Sequence, residues 1–178
     1  MQRAAPVSQD DISGYTVAYD REEIQFPVYI LILVGAAMIA GGIAKGIVIL
    51  FALGLCALGF AYHNFPLLET GRPRLGAGEY GMLLEGLGII SWRGIKSIDL
   101  VPVHGRGVID LELHIDIRPP LDSALIADWR KRSPLRILMR LPWSMNGKTI
   151  VRVPLGILDR PAEEIHSALL GMLRFYRS

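Results

Sequence analysis

Two uncharged stretches near the N-terminus decide how this chain is organised: FPVYILILVGAAMIAGGIA at residues 26–44 and IVILFALGLCALGFAY at residues 47–62. The first has about 19 residues, and as a helix it spans roughly 28 Å, close to the bilayer hydrocarbon thickness of about 30 Å. The second has about 16 residues and reaches spanning length when it is extended to Leu68. The sequence therefore predicts a pair of transmembrane helices within residues 26–68.

Lys45 lies between the two stretches and predicts a hairpin. A single helix of about 40 residues would bury this lysine in the bilayer at high cost, whereas a turn over residues 41–46, rich in glycine, places it at the far interface. Small residues favour close packing of the two helices: Gly35, Ala36, Ala37, Gly54, Ala57 and Gly59. The alternative is a helical hairpin buried in a soluble core.

The basic residues that flank the hairpin predict its orientation. Arg21, Arg72 and Arg74 lie on one side and Lys45 on the other, and basic residues are retained in the cytoplasm. We therefore expect a multi-pass protein of the bacterial inner membrane with both termini cytoplasmic. Residues 1–25 form a cytoplasmic segment, and their charges and lack of an apolar core argue against a cleaved leader.

Charge and cysteine content exclude several classes of protein. The net charge of +2 is too small for the concentrated basic surface of a nucleic-acid-binding protein. The single cysteine, Cys56, allows neither an internal disulfide nor a multi-cysteine metal site, and its apolar surroundings indicate a packing role.

Beyond a connector near Gly71, residues 72–178 show short strand patterns separated by turns. Strands are predicted at 80–85, 88–92, 95–103, 109–117 and 149–153, of which 109–117 shows the clearest alternation of apolar and polar residues. A helix is predicted at the C-terminus, with Asp159 as its cap and Pro161, Glu163 and Glu164 in its first turn. Its apolar stripe consists of Ile165, Leu169, Met172, Leu173 and Tyr176.

The run GLGIISWRGIKSI at residues 86–98 resembles the strand pair of bacterial pleckstrin-homology-like (PH-like) domains, with their apolar-x-Trp-x-x-Ile-x-x-Ile pattern. KTIVRVP at 148–154, followed by AEEI at 162–165 and by Leu169, is similar to their last strand and terminal helix. Many such proteins carry a two-helix membrane anchor before the domain. The resemblance covers roughly residues 67–178 and implies an α+β fold: a strongly bent antiparallel sheet capped by the C-terminal helix, with no catalytic residues.

Two patterns resemble sites of chemistry, but neither has the surroundings that such a site needs. The GxGxxG string at 76–81 follows no buried strand and opens no helix, so turns between short strands explain its glycines. The polar face of strand 109–117, formed by Asp110, Glu112, His114 and Asp116, brings at most two side chains to one ion and is typical of a solvated surface. We expect no catalytic residues, no cofactor and no metal.

An insertion at 119–145 is the most distinctive part of the domain. Leu121, Leu125 and Trp129 recur at helical spacing, and a basic segment follows. Such segments with tryptophan can lie in the lipid headgroup layer. The residues predicted to contact a membrane surface or a partner are Trp129, Arg130, Lys131, Arg132, Arg136, Arg140 and Trp143. The alternative is a helix that covers the open end of the sheet, with its arginines solvated.

These patterns predict a non-enzymatic, membrane-anchored interaction or scaffold module whose partners are the bilayer and a membrane protein or a second copy of the chain. It is expected to act as an accessory subunit of a membrane complex. The alternative function is binding of lipid headgroups by the basic insertion. Headgroup binding would weaken steeply with salt, whereas an apolar protein interface would persist.

Overall fold

The computed structural model describes residues 14–69, 72–105, 108–130, 136 and 138–177. They form two compact units, one containing residues 14–18, 72–105, 108–130 and 141–177 and the other containing residues 19–69, 136 and 138–140. Helices are followed by antiparallel sheets, so the predicted α+β class is confirmed.

Two packed helices dominate the second unit. Helix α1 spans Arg21–Lys45 and helix α2 spans Val48–His63. Gly46, with φ of +66°, ends α1, and the N–H groups of Gly46 and Ile47 donate to the carbonyls of Ile43 and Gly42 at 3.3 and 2.9 Å. This pattern is a Schellman motif, in which glycine adopts the left-handed conformation that other residues avoid.

The turn is therefore shorter than the predicted 41–46, because Gly41 and Gly42 remain helical. The physical reason is packing: a Cβ on Gly42 would lie 2.7 Å from the backbone nitrogen of Phe51 in α2. Helix α2 also ends earlier than predicted. Asn64 caps it, donating its N–H and its side-chain Nδ2 to the carbonyl of Phe60, and a short 3₁₀ helix follows at Phe65–Leu68.

The first unit contains a five-stranded sheet, here called sheet A. Its strands are β1 (Tyr15–Val17), β2 (Leu75–Ala77), β3 (Gly81–Leu84), β4 (Gly88–Ser91) and β7 (Leu125–Asp128), in the order β1-β2-β3-β4-β7. Strand β1 precedes the helices in the chain and β2 follows them, yet the two strands pair antiparallel, with Thr16 opposite Gly76. The sequence pattern did not indicate β1.

A four-stranded antiparallel sheet, sheet B, follows a 3₁₀ turn at Trp92–Gly94. It contains β5 (Ile95–Gly105), β6 (Val108–Ile117), β9 (Ile150–Pro154) and β8 (Ser144–Asn146), in that order. In β6, Leu113, Ile115 and Ile117 are buried, as the alternation predicts. The described strands thus form two hydrogen-bonded sheets, where one bent sheet was predicted.

The last helix, α4 (Ala162–Arg177), packs against β5 and buries Ile165, Leu169 and Leu173. Its Arg177 Nη1 donates to the carbonyl of Lys96 at 3.0 Å. Asp159 does not cap α4 as predicted. Instead its Oδ1 accepts from the N–H of Ala18 at 3.2 Å, and its own N–H donates to the Ala18 carbonyl at 3.0 Å, which ties the end of β1 to the loop before α4.

The insertion folds differently from the prediction. In the described residues 119–130 the chain forms one helical turn, α3 (Leu121–Ala124), and then becomes strand β7 on the edge of β4. Pairing with a free strand edge outweighs the weak helical spacing of the side chains. Gly88, with φ of +125°, permits this pairing, because a Cβ there would lie 1.8 Å from the carbonyl oxygen of Ala127.

Candidate membrane anchor and basic segment

The helices α1 and α2 expose large apolar side chains. Val48 is 77% exposed, Ile49 74% and Leu33 73%, whereas the core of a soluble protein would cover such residues. Gln25–Lys45 is the helix in the described part of the chain that is long and apolar enough to cross a membrane, and it lies near the N-terminus, where a signal sequence has the same properties. Helix α2 is apolar as well, but its 16 residues fall short of that length.

Glycines bring the backbones of α1 and α2 into contact. A Cβ on Gly54 would lie 2.8 Å from the carbonyl oxygen of Gly35, and a Cβ on Gly35 would lie 3.0 Å from Leu58. Gly59 differs from Gly35 and Gly54, since a Cβ there meets nothing within 4 Å, and the predicted packing residues Ala36 and Ala37 are exposed as well. Close approach through glycine is typical of helices packed in lipid, where no hydrophobic effect drives association.

A short segment returns to the C-terminal end of α2. The ring nitrogen Nδ1 of His63 lies 2.5 Å from the carbonyl oxygen of Leu138, and the N–H of Arg140 donates to the His63 carbonyl at 2.8 Å. Arg136 Nη2 lies 4.0 Å from Glu69 Oε1. Sequence reasoning missed this contact, because a hydrogen bond between residues 75 positions apart leaves no periodic signal.

The predicted contact residues that the structure describes are divided between the two units. Arg136 and Arg140 belong to the second unit, with the helices, whereas Trp129, Arg130 and Trp143 belong to the first. Lys131 and Arg132 lie outside the described residues.

Arg130 is held within the protein. Its guanidinium lies 2.7 Å from Asp128 Oδ2 and 2.5 Å from Asp122 Oδ1. Hydrogen bonds to Asp128 and Asp122 raise the pKa of Arg130 above its usual range. A phosphate would have to compete with two carboxylates for this guanidinium.

The two tryptophans of the insertion donate hydrogen bonds to sheet A. The backbone N–H of Trp129 donates to the carbonyl of Leu87 at 3.1 Å, which continues the edge pairing of β7. The indole Nε1 of Trp143 donates to the carbonyl of Glu85 at 2.9 Å, and the side chain is half-buried. Both contacts fix the insertion to the loop between β3 and β4.

The polar face of β6 is engaged with its neighbours. His114 Nε2 lies 3.2 Å from Glu112 Oε2, and Asp116 Oδ2 accepts from Lys96 Nζ at 3.0 Å. Among the described residues, no group of three or more His, Cys, Asp or Glu side chains has the geometry to hold a metal ion. The GxGxxG string runs from the end of β2 through the turn at residues 78–80 to the first residue of β3, and its Gly78 carbonyl accepts from the indole of Trp92 at 2.8 Å.

Arg74, one of the arginines used to predict orientation, lies inside the first unit. It is 1% exposed and forms an ion pair with Glu85. A buried guanidinium without a carboxylate would be costly, so this pair belongs to the architecture of sheet A.

Comparison of the chain with protein-family models, with curated proteins and with solved structures finds no match.

Proposed function

We propose that α1, α2 and the 3₁₀ helix after them form a two-helix anchor in the bacterial inner membrane, which holds a PH-like interaction module at the cytoplasmic surface. The module is non-enzymatic and serves as an accessory subunit of a membrane complex or of a homo-oligomer. Its partners are the bilayer and a membrane protein that contacts the helices or the module.

The pairing of β1 with β2 is the observation that carries this proposal. Tyr15 lies opposite Ala77 and Val17 opposite Leu75 in one antiparallel ladder. Two strands can form a ladder only on the same side of a membrane. The chain between them must therefore cross the bilayer an even number of times, which favours two crossings once α1 is taken as a span.

The same ladder disfavours a cleaved signal sequence. In a secreted protein cleaved after α1, the segment before the apolar helix stays behind, on the opposite side of the membrane from the mature domain. Strand β1 would then be separated from β2. Ala18, which follows β1 directly, exchanges two hydrogen bonds with Asp159, and such cleavage would break this second link as well.

The length of α2 is compatible with a crossing. Its 16 residues span about 24 Å, and Ile47 and the apolar 3₁₀ helix Phe65–Leu68 lengthen the apolar stretch at both ends. A span a few ångströms short is accommodated by local thinning of the bilayer at modest cost. Gly59, which has an open surface, lies where a further helix would approach closely.

The PH-like assignment is supported by the burial of the residues that carry the resemblance. Trp92, Ile95 and Ile98 are 3%, 0% and 2% exposed, and the ring of Trp92 stacks on that of Tyr176 in α4, with centroids 6.1 Å apart. The terminal helix thus covers the Trp-x-x-Ile-x-x-Ile strand.

Membrane extraction and cysteine labelling test the anchor. The full chain should stay in the membrane pellet after alkaline carbonate washing and enter the supernatant only with detergent. In a Cys56→Ala background, a cysteine at Lys45→Cys should react with a membrane-impermeant maleimide in intact cells. A cysteine at Lys148→Cys, exposed in the module, should react only after the inner membrane is permeabilised.

Labelling of both positions in intact cells, or of neither, would contradict two crossings. Release of the unmodified chain by carbonate would contradict the anchor itself.

A further inference from the structure

The end of α2 carries a small surface that combines exposed apolar and basic side chains. We call the described residues 136 and 138–140 the exit segment. Leu138 is 68% exposed, and Phe65, which follows α2, is 42% exposed. Arg136 and Arg140 lie on either side of Leu138 in the chain, and both are exposed.

Hydrogen bonds hold the exit segment at α2. The His63 ring contacts the carbonyl of Leu138, and the His63 carbonyl accepts from the N–H of Arg140, so the last residue of the helix binds the segment through both its side chain and its backbone. The depth of the exit segment relative to a bilayer is therefore set by α2 itself. If α2 crosses the membrane, this end of the helix lies at the headgroup layer.

The charges of the exit segment remain available to a ligand. The only carboxylate near Arg136 in the described residues is Glu69, at the outer limit of an ion pair, 4.0 Å away. Arg140 makes no ion pair within the described part of the chain. This differs from Arg130, whose guanidinium is bound by two aspartates.

We propose that the exit segment binds the headgroup of an anionic phospholipid, with Arg136 and Arg140 on the phosphate and with Leu138 and Phe65 at the boundary of the acyl chains. The inference rests on the proposed function, because the lipid is reached only if α2 spans the bilayer. Guanidinium groups match phosphate geometry, and an apolar side chain between them gains by entering the acyl boundary. The occupant is a lipid of the surrounding membrane, which the adjoining helix brings within reach.

Fluorescence quenching by brominated lipids tests the proposal on the full chain. A Leu138→Trp variant is reconstituted in phosphatidylcholine vesicles that contain a small, fixed fraction of brominated phosphatidylglycerol or of brominated phosphatidylcholine. The signal of the native tryptophans is measured with the unsubstituted chain and subtracted. Brominated phosphatidylglycerol should quench the introduced tryptophan several-fold more than brominated phosphatidylcholine, since each basic residue at the surface favours an anionic lipid by about fivefold.

Adding Arg136→Gln and Arg140→Gln to this variant should make the two lipids quench equally. The matched control adds Arg93→Gln and Arg118→Gln, which are exposed arginines of the other unit and should leave the difference intact. High salt should reduce the preference for the anionic lipid.

A Leu33→Trp variant separates failure of this proposal from failure of the anchor, because Leu33 lies in the middle of α1 and is exposed. Quenching at position 33 without quenching at position 138, or equal quenching by both lipids at 138, would overturn the headgroup site and leave the anchor standing. An unchanged preference in the double glutamine variant would also overturn it. If position 33 is not quenched either, both proposals fail.

Discussion

A disulfide across the β1–β2 ladder is the sharpest test of the fold. Thr16 and Gly76 are opposite each other, and a Cβ built on Gly76 lies 3.6 Å from the Thr16 Cγ2, so cysteines at both positions face each other within reach. In a Cys56→Ala background, the Thr16→Cys/Gly76→Cys variant should form an intramolecular disulfide when membranes are treated with a mild oxidant.

The stabilisation follows from the loop that the bond closes. About 60 residues separate the two positions, and the loop-closure entropy of a free chain of that length corresponds to about 4 kcal/mol at 25 °C. If α1 and α2 stay paired in the membrane as proposed, they keep the two ends of this loop near each other even when the β strands are unfolded, which reduces the gain toward the value of about 3 kcal/mol for a loop of roughly 15 residues. For a protein of this size, such a gain raises the Tm by roughly 10 °C.

The assay is mobility on a non-reducing gel, followed by thermal unfolding in detergent with and without reductant. The matched control is Thr16→Cys with Tyr80→Cys, because Tyr80 is exposed in the turn beyond the end of β2. Efficient bonding of the control pair, or none of the 16–76 pair, would refute the ladder. A bond that forms without any rise in Tm would refute the estimate of chain entropy.

Three further predictions concern packing and titration. Gly54→Val should weaken the contact between α1 and α2, because a Cβ at this position lies 2.7 Å from Ile39 Cγ1. Gly59→Val should leave this contact unchanged, because a Cβ at Gly59 meets open space. Thermal unfolding of the full chain in detergent compares the two variants. Ile115→Ala removes a side chain that is 0% exposed and should destabilise the first unit by about 2 to 5 kcal/mol. The measurement is denaturant unfolding followed by tryptophan fluorescence. A loss of stability below about 1 kcal/mol would mean that Ile115 is not buried in the folded protein. Burial and the neighbouring Glu164 raise the pKa of Tyr15 in the folded protein. The contribution of Tyr15 to stability is therefore full below the ordinary tyrosine pKa of about 10 and is lost as the pH rises through the higher pKa of the folded state. Measuring the free energy of unfolding against pH should show this loss in the parent chain but not in Tyr15→Phe.

The elements with a strong period were predictable from the sequence. Strand β6 and helix α4 each bury one face and expose the other. Apolar residues therefore recur along them at the period of a strand or of a helix, as in the stripe Ile165, Leu169 and Leu173 of α4. The burial of Trp92 was predictable for the same reason, because this residue lies next to β5 and its ring stacks on Tyr176 of α4.

The remaining features depend on partners that are distant in the chain. Strand β1 has three residues and pairs with β2 beyond both helices, so no local pattern marks it. The spacing of Leu121, Leu125 and Trp129 predicts a helix, but this local signal is weak, and pairing with the edge of β4 makes residues 125–128 the strand β7. Likewise, a count of basic residues cannot reveal that Arg130 is bound by Asp122 and Asp128, whereas Arg136 and Arg140 are left more open.

The position of β1 has a consequence for how the chain is made. This strand leaves the ribosome before its partner β2, which is synthesised about 60 residues later, after both apolar helices have emerged. Until then the edge of β1 that pairs with β2 has no partner, and in the proposed anchor the helices would enter the membrane before sheet A can form. Strand β1 therefore has to wait until both helices have been synthesised before it can pair with β2 and complete this edge of sheet A.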